Sequence, residues 1–399
     1  MASDNISRIK IGVAGLGRAF TLMLPTFLQD SRIQLVAATD PIVAARTQFE
    51  KDFQAITVDS IDALCALPDV EVIYIATPHQ YHAAHVELAA QHGKHCWVEK
   101  PMAISLEECT RMMTACQQAG VQLMVGHSHS FNAPILKTYN LIRSGQFGSV
   151  RMIHALNYTD FLYRPRRPEE LDTQAGGGVM FSQAAHQVDI VRLLGGGLVQ
   201  SVMAHTGAWD KARPTEGAYS ALLGFENGAF ASLSYSGYGH FDSDAWMNGI
   251  GELGQQKQST DHGAARRRLR NTTFNDEAEL KASRNYGAAQ WSGDLRIPPH
   301  RKHQHFGPLI VSCDGADLRP TSEGVWIDGH FEVTLEALPP PQVPRQEVVD
   351  EFYNAIVHEQ PVRHSGAWAR ATTAVSLALL TSAKTGQIQK PTHQVSPEH

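Results

Sequence analysis

Cysteine is scarce in this chain. Its five residues (Cys65, Cys96, Cys109, Cys116, Cys313) are odd in number, scattered and without a C-x-x-C pair. That pattern excludes a disulfide framework and fits buried thiols in a reducing compartment, so a cytoplasmic location is expected. Long apolar runs are also missing. No stretch of about 18 apolar residues occurs, and no basic-then-apolar leader opens the chain. A soluble protein with no membrane partner is therefore expected. Positive charge is in deficit, 34 Lys and Arg against 40 Asp and Glu, for a net charge of -6. A general basic field for nucleic acid is excluded, and any anionic ligand has to be met by local cations.

What the chain does have is length and alternation. Its 399 residues exceed one ordinary core, and at roughly 100 to 200 residues per domain two are expected. IKIGVAGLGRAF reads as a β-branched strand entering a glycine turn and then a helix to Leu28. IQLVAATD is a second strand, VEVIYIATP a third, HCWVEKP a fourth and VQLMVGH a fifth, with helical spacing between them. Ser105 with Glu108 three residues on is a capping box for one of those helices. Strands alternating with helices predict a parallel, doubly wound α/β sheet, complete by residue 126.

The texture then changes. VRMIHALNY, QSVMAHTGAW, GAYSALLGF and AFASLSYSGY alternate as half-buried strands, and Glu226-Asn227-Gly228 reads as a hairpin turn. A second α/β domain over 127–399 with an open, mostly antiparallel sheet is predicted. Residues 251–305 stand apart as an irregular polar insertion, with ten Lys or Arg against six Asp or Glu. Two helical patterns from Gln346 to Gln387 are placed to pack back on the first domain.

The chemistry-bearing residues fall mostly in the first domain. Gly15 and Gly17, with Arg18, Ala19 and Phe20 following, supply two glycines of a dinucleotide fingerprint whose third position is Phe20. Such a turn lets backbone N–H groups and a helix N-terminus face a pyrophosphate. Asp40, closing the second strand, is placed to accept from a ribose 2′-OH and to repel a 2′-phosphate. NAD is thus favoured over NADP, although Arg46 lies close enough to soften that preference. Asp40 before Pro41 also reads as a turn residue capping the next helix.

The glycine turn with Asp40, then Thr77-Pro78-His79-Gln80-Tyr81-His82, then Glu99-Lys100-Pro101, and finally Gly176-Gly177-Gly178 with His186 and Asp189, together resemble the Gfo/Idh/MocA family of nicotinamide-dependent oxidoreductases. The resemblance implies a Rossmann domain followed by an α/β domain whose open sheet commonly forms the oligomer interface, so a homo-oligomer, dimer or tetramer, is expected. It implies that Lys100 and His186 are catalytic and that Pro101 follows a cis bond. Thr77, Pro78, His79, His82, Glu99 and Lys100 are then expected to line the cofactor cleft.

The residues themselves agree on Lys100. Hydride leaves a carbinol carbon only as its hydroxyl proton is lost, and a Lys at the carboxyl end of a buried strand points to the crevice where ligands bind in such sheets. A Lys snorkelling from a strand end is the plainer alternative.

Two departures from the family pattern bear on substrate. Ser182 stands where sugar-oxidising members often carry an Asp, which argues against a polyol. His127 and His129 replace the usual aromatic and Arg. Tyr163, Arg164, Arg166 and Arg167 precede the glycine run, and clustered Arg can clamp carboxylates. With Ser182 and Gln183, these residues form the expected site for a small anionic substrate. Within the family the glycine run, the insertion and FGPLIVSCDGADLRPTSEGVWIDG look like dehydrogenases acting on cis-dihydrodiols of aromatic acids, phthalate 4,5-cis-dihydrodiol above all. A sugar or inositol dehydrogenase and a non-catalytic dinucleotide sensor are the alternatives. His79, His82 and His85 at i, i+3 and i+6 drift around a helix without a carboxylate or Cys cluster, so no metal site is expected.

Overall fold

The computed structural model describes residues 8–270, 272, 274–288, 291 and 301–397. The 251–305 segment is thus described except at 271, 273, 289, 290 and 292–300. The chain divides into two compact units. One comprises 1–127, 279–297 and 342–367; the other comprises 128–278, 298–341 and 368–399.

In the first unit β1 (Ile9–Ala14), β2 (Ile33–Thr39), β3 (Ile56–Val58), β4 (Val72–Ile75), β5 (His95–Val98) and β6 (Leu123–Val125) form a parallel sheet in the order β3-β2-β1-β4-β5-β6. Helices α1 (Arg18–Gln29), α2 (Val43–Phe53), α3 (Ile61–Cys65), α4 (His82–Gln91) and α5 (Leu106–Ala119) make the connections. β4 is buried at every residue, as expected of a strand covered on both faces. Ser105 caps α5: the Glu108 N–H donates to Ser105 Oγ at 3.2 Å, and Ser105 Oγ donates to Glu108 Oε2 at 3.1 Å. The three-residue β3 is an edge strand with Ile56 exposed, too short for periodicity to reveal. Phe20, Phe27, Tyr74, Trp97 and Phe352 interlock in the core, mostly edge to face.

The second unit runs through α6 (Ala133–Arg143), β7 (Val150–Tyr158), α7 (Ala185–Gly195), β8 (Val199–Gly207), β9 (Ala218–Phe225), β10 (Phe230–Ser236), α8 (Ala264–Leu269), the part of α9 (Phe274–Ala282) before Glu279, and β11 (Leu309–Cys313). β12 (Ala316–Thr321), β13 (Gly324–Gly329) and β14 (Val333–Ala337) follow. Its sheet has the order β14-β13-β12-β11-β7-β10-β9-β8, antiparallel except where β10 pairs with β7. The β9–β10 hairpin turns at Gly228, whose φ of 85° only glycine adopts readily. α10 (Gln346–Val357) packs in the first unit, where Asp350 accepts from Arg32 at 2.6 Å. α11 (Gly366–Thr385), from Trp368 onward, belongs to the second.

In the basic insertion Arg267, Arg268 and Arg270 are exposed, and Arg266 is half-buried. The Arg266 guanidinium lies 4.0 Å over the Tyr163 ring and donates to the Tyr238 and Gly239 carbonyls. Lys257 pairs with Asp242 and Asp244. Backbone acceptors and an aromatic face thus meet the Arg266 charge.

Candidate active site

The first unit builds a turn suited to a dinucleotide. Gly15 has φ 94°, and a Cβ there would stand 3.0 Å from the Ala76 backbone. The turn can therefore exist only with glycine. Gly17 begins α1, and no side chain caps that helix. Uncapped N–H groups at the end of a twelve-residue helix are what an anionic diphosphate requires. Asp40 braces the turn: Oδ2 accepts from the Leu16 N–H at 2.7 Å and Oδ1 from the Ile42 N–H at 2.8 Å. Each oxygen keeps a second lone pair for a ribose hydroxyl. Arg46 is held elsewhere, donating to the Asp40 carbonyl at 2.6 Å and pairing with Asp59 at 2.9 Å.

Around this turn the expected residues divide. Arg18 is exposed and Ala19 half-buried. Phe20 is a correction: its ring is wholly buried against Phe27, Phe49 and Tyr286, so it serves the core and offers a cofactor only backbone. His82 is another. It is buried, with Nε2 2.9 Å from the Thr77 carbonyl and Nδ1 3.1 Å from that of Pro101. It clasps the end of β4 to the loop after β5 instead of lining a cleft. Thr77, Pro78 and His79 are half-buried at that strand end, and Thr77 Oγ1 meets His85 Nδ1 at 3.0 Å.

Glu99, Lys100 and Pro101 follow β5, and the Lys100–Pro101 bond is cis. Glu99 is buried and accepts from the Tyr74 hydroxyl at 2.6 Å. Burial raises its pKa, opposed by that hydrogen bond and by the charges of Arg345 and Lys100. Lys100 thus stands half-buried beside a carboxyl group whose own charge is disfavoured. His127, at the end of β6, is buried and bonds through its backbone to Glu99.

The second unit gathers a separate cluster. His129 and His186 lie with ring centroids 4.7 Å apart, and Phe306 sits 5.0 and 5.1 Å from them. Gln183 accepts from the Tyr235 hydroxyl at 3.2 Å, and Tyr235 stacks on Phe306. Met180–Ala184, just before α7, is a π-helical turn, a distortion frequent at functional sites. Ser182 lies in it and donates to the Gly178 carbonyl. Tyr235 and Phe306 were missed in the sequence; only the inward phase of β10 marks Tyr235, and Phe306 carries no signal. Asp189 does not serve His186. It accepts from Trp368 Nε1 at 2.6 Å and Thr372 Oγ1 at 2.9 Å.

The arginines are unequal. Arg164 pairs with Asp160 at 3.3 Å, and burial, which works against its cation, is outweighed by Glu252, Tyr235 and Asp160, so its pKa rises. Arg166 lies 3.6 Å over the Phe161 ring and donates to the Phe161 carbonyl. Its Nε is buried without a hydrogen-bond partner, and burial pulls its pKa down to about 10. Arg167 is paired with Glu169 at 3.0 Å. Tyr163 carries Arg266 on its face.

A parallel sheet in this strand order, with a glycine turn after its first strand and an acid after its second, is the arrangement of a dinucleotide-binding domain. The family models agree: residues 9–127 match the NAD-binding Rossmann fold of the Gfo/Idh/MocA oxidoreductases, and 135–255 match a C-terminal domain of the same family. The chain belongs to that family.

Among its relatives, a 1-carboxy-3-chloro-3,4-dihydroxycyclohexa-1,5-diene dehydrogenase from Comamonas testosteroni is 50% identical, across 94% of this chain and 95% of its own. A protein from Bordetella bronchiseptica RB50 described as a dehydrogenase has a crystal structure with TM-score 0.90 and 40% identity, covering 96% of this chain and 100% of its own. The WlbA dehydrogenase of Bordetella pertussis, solved with NADH and UDP-GlcNAcA, shares the fold at TM-score 0.67 and 21% identity, covering 96% and 98%. Among the described residues no helix is long and apolar enough to cross a membrane.

Proposed function

We propose that this protein oxidises a cis-dihydrodiol of a cyclohexadiene carboxylate, with NAD+ as the hydride acceptor. The observation that carries the reading is the 50% identity, over nearly the full length of both chains, to a dehydrogenase of a carboxylated dihydroxycyclohexadiene. Lys100, half-buried beside the charge-poor Glu99, holds the reacting hydroxyl and takes its proton. His186, in the His129–Phe306 cluster, relays that proton or steadies the neighbouring hydroxyl. A bound NAD+ supplies the hydride acceptor. The resulting ketone tautomerises to a catechol, and aromatisation makes the oxidation effectively one-way. His127, Tyr163, Ser182 and Gln183 are assigned to substrate binding.

Arg166 is assigned to the substrate carboxylate, because its Nε has no protein acceptor and its guanidinium is fixed on the Phe161 ring. Arg164 assists it. Within the class, the sequence features favour phthalate 4,5-cis-dihydrodiol, giving 4,5-dihydroxyphthalate; the Comamonas relative favours a monocarboxylate. NAD is favoured over NADP because Arg46, the cation nearest Asp40 in sequence, is engaged with Asp59 and the Asp40 carbonyl.

The test is NADH formation from the phthalate 4,5-cis-dihydrodiol, the corresponding benzoate dihydrodiols and myo-inositol. Turnover of a carboxylated dihydrodiol, with kcat lowered roughly 100-fold or more in Lys100→Met, is expected. Turnover of inositol alone would reject the reading.

A further inference from the structure

Residues 283–288, within the polar insertion, belong to the first unit and form a strap across its two leading helices. Tyr286 is the anchor. It is 1% exposed, sets its ring edge-on to Phe20 at 5.2 Å and is backed by Trp291 at 4.6 Å. Its hydroxyl donates to Asp52 Oδ2 at 2.6 Å, and its backbone N–H donates to Thr21 Oγ1 at 3.1 Å. Gly287, at φ 71°, lies so close to α2 that a Cβ would stand 2.9 Å from Ala45 Cα. The strap therefore spans the helix after the glycine turn and the helix after Asp40.

Asn285 precedes the anchor. Its Oδ1 is buried and has no hydrogen-bond partner, and its Nδ2 lies 4.0 Å from where a Gly17 Cβ would stand. A buried amide oxygen without a partner is costly, so such groups call for an explanation. Among the described residues, the carboxamide that carries this orphan oxygen is the group that approaches the open side of Gly17.

We propose that Asn285 is a cofactor-binding residue. Its side-chain amide closes over the Gly15–Gly17 turn and hydrogen-bonds the diphosphate and adjoining ribose of a bound nicotinamide dinucleotide, with Tyr286 as its positioning residue. A carboxamide suits that boundary, since its NH2 donates to phosphate oxygen and its oxygen accepts from a ribose hydroxyl. The inference rests on the first unit being the dinucleotide site.

The full chain is titrated with NADH and with NADPH, following cofactor fluorescence. Asn285→Ala raises the NADH dissociation constant roughly tenfold, the equivalent of one charge-assisted hydrogen bond. Asn285→Asp raises it further, because the new carboxylate faces the diphosphate. Tyr286→Phe keeps the packed ring and loses the hydroxyl, so it weakens NADH binding less than Asn285→Ala. The double variant with Asn285→Ala is no weaker than Asn285→Ala alone, since both act through one contact. NADH binding by Asn285→Ala within twofold of wild type overturns the proposal. A wild-type protein that binds neither dinucleotide overturns the site itself, and the wild-type arm separates the two failures.

Discussion

Burial disfavours a second proton on His82. Burial pushes its pKa down to about 4, even though the Thr77, Met102 and Pro101 carbonyls favour the charged ring. The unfolded chain, with an ordinary His near 6.5, binds that proton more readily, so stability falls as pH drops from about 6.5 toward 4. The gap corresponds to roughly 3 kcal/mol, all of it lost by about pH 4 and none of it above pH 7. Thermal melts of wild type are expected to decline across that window. His82→Gln loses some stability at pH 8, but its melting temperature changes less between pH 6.5 and 4. An identical pH slope in the two proteins would remove His82 as the cause. The junction between β4 and the Lys100 loop thus carries a titratable clasp, whereas the sequence suggested a cleft residue. The TP-x-x-x-H spacing singled out His82 but could not say which way its ring faces.

α7 and α11 are joined by a buried polar network rather than by apolar packing alone. Arg192 is fully buried, stacked 3.9 Å over Trp368, and donates to Thr372 Oγ1 at 2.8 Å. The same hydroxyl donates to Asp189 at 2.9 Å, so Thr372 bridges the carboxylate and the cation. Burial pulls the Arg192 pKa down to about 10, and Asp189 works against that pull. Removing one member leaves an uncompensated buried charge, so Asp189→Ala or Arg192→Met is expected to cost ~3–5 kcal/mol in urea unfolding. The double variant should cost less than the two singles together, and strict additivity would mean the pair is not coupled. This element was half legible. His186 and Asp189 were singled out in the sequence. Trp368 and Thr372, which meet Asp189 and Arg192, come from α11, about 180 residues away, and no local pattern reports a contact at that distance. The same limit hid Asn285 and Tyr286, which read as an irregular loop because their anchors lie on α1 and α2. By contrast, the βαβ alternation, the glycine turn and the hairpin at Gly228 are local, and they were readable.

At the scale of the whole molecule, the second unit's sheet exposes large apolar side chains on one face of its central strands. Inward residues such as Ala221, Leu233 and Tyr235 are buried, while the opposite face carries Leu222 at 56%, Phe230 at 49% and Ile310 at 39% exposure. These are not scattered. Register aligns Met203, Leu222, Ser232, His154 and Ile310 in one row across β8, β9, β10, β7 and β11. Phe230 lies one pleat away, opposite Met152. A continuous half-apolar row on a broad sheet is a surface that monomers usually avoid presenting to water. The row carries no acid, and His154 is hydrogen-bonded to Ser232 at 2.6 Å, so nothing in it repels a second copy. The open-sheet oligomer that the family resemblance implies would use this face, and a twofold axis would make the patch its own partner. Light scattering after gel filtration is then expected to give a multiple of the 43.8 kDa chain mass for wild type. Leu222→Glu with Phe230→Glu would set like charges against each other across the axis and give the single-chain mass, with NADH binding by the first unit kept. A wild-type monomer, or a double variant that stays assembled, would exclude this face as the interface.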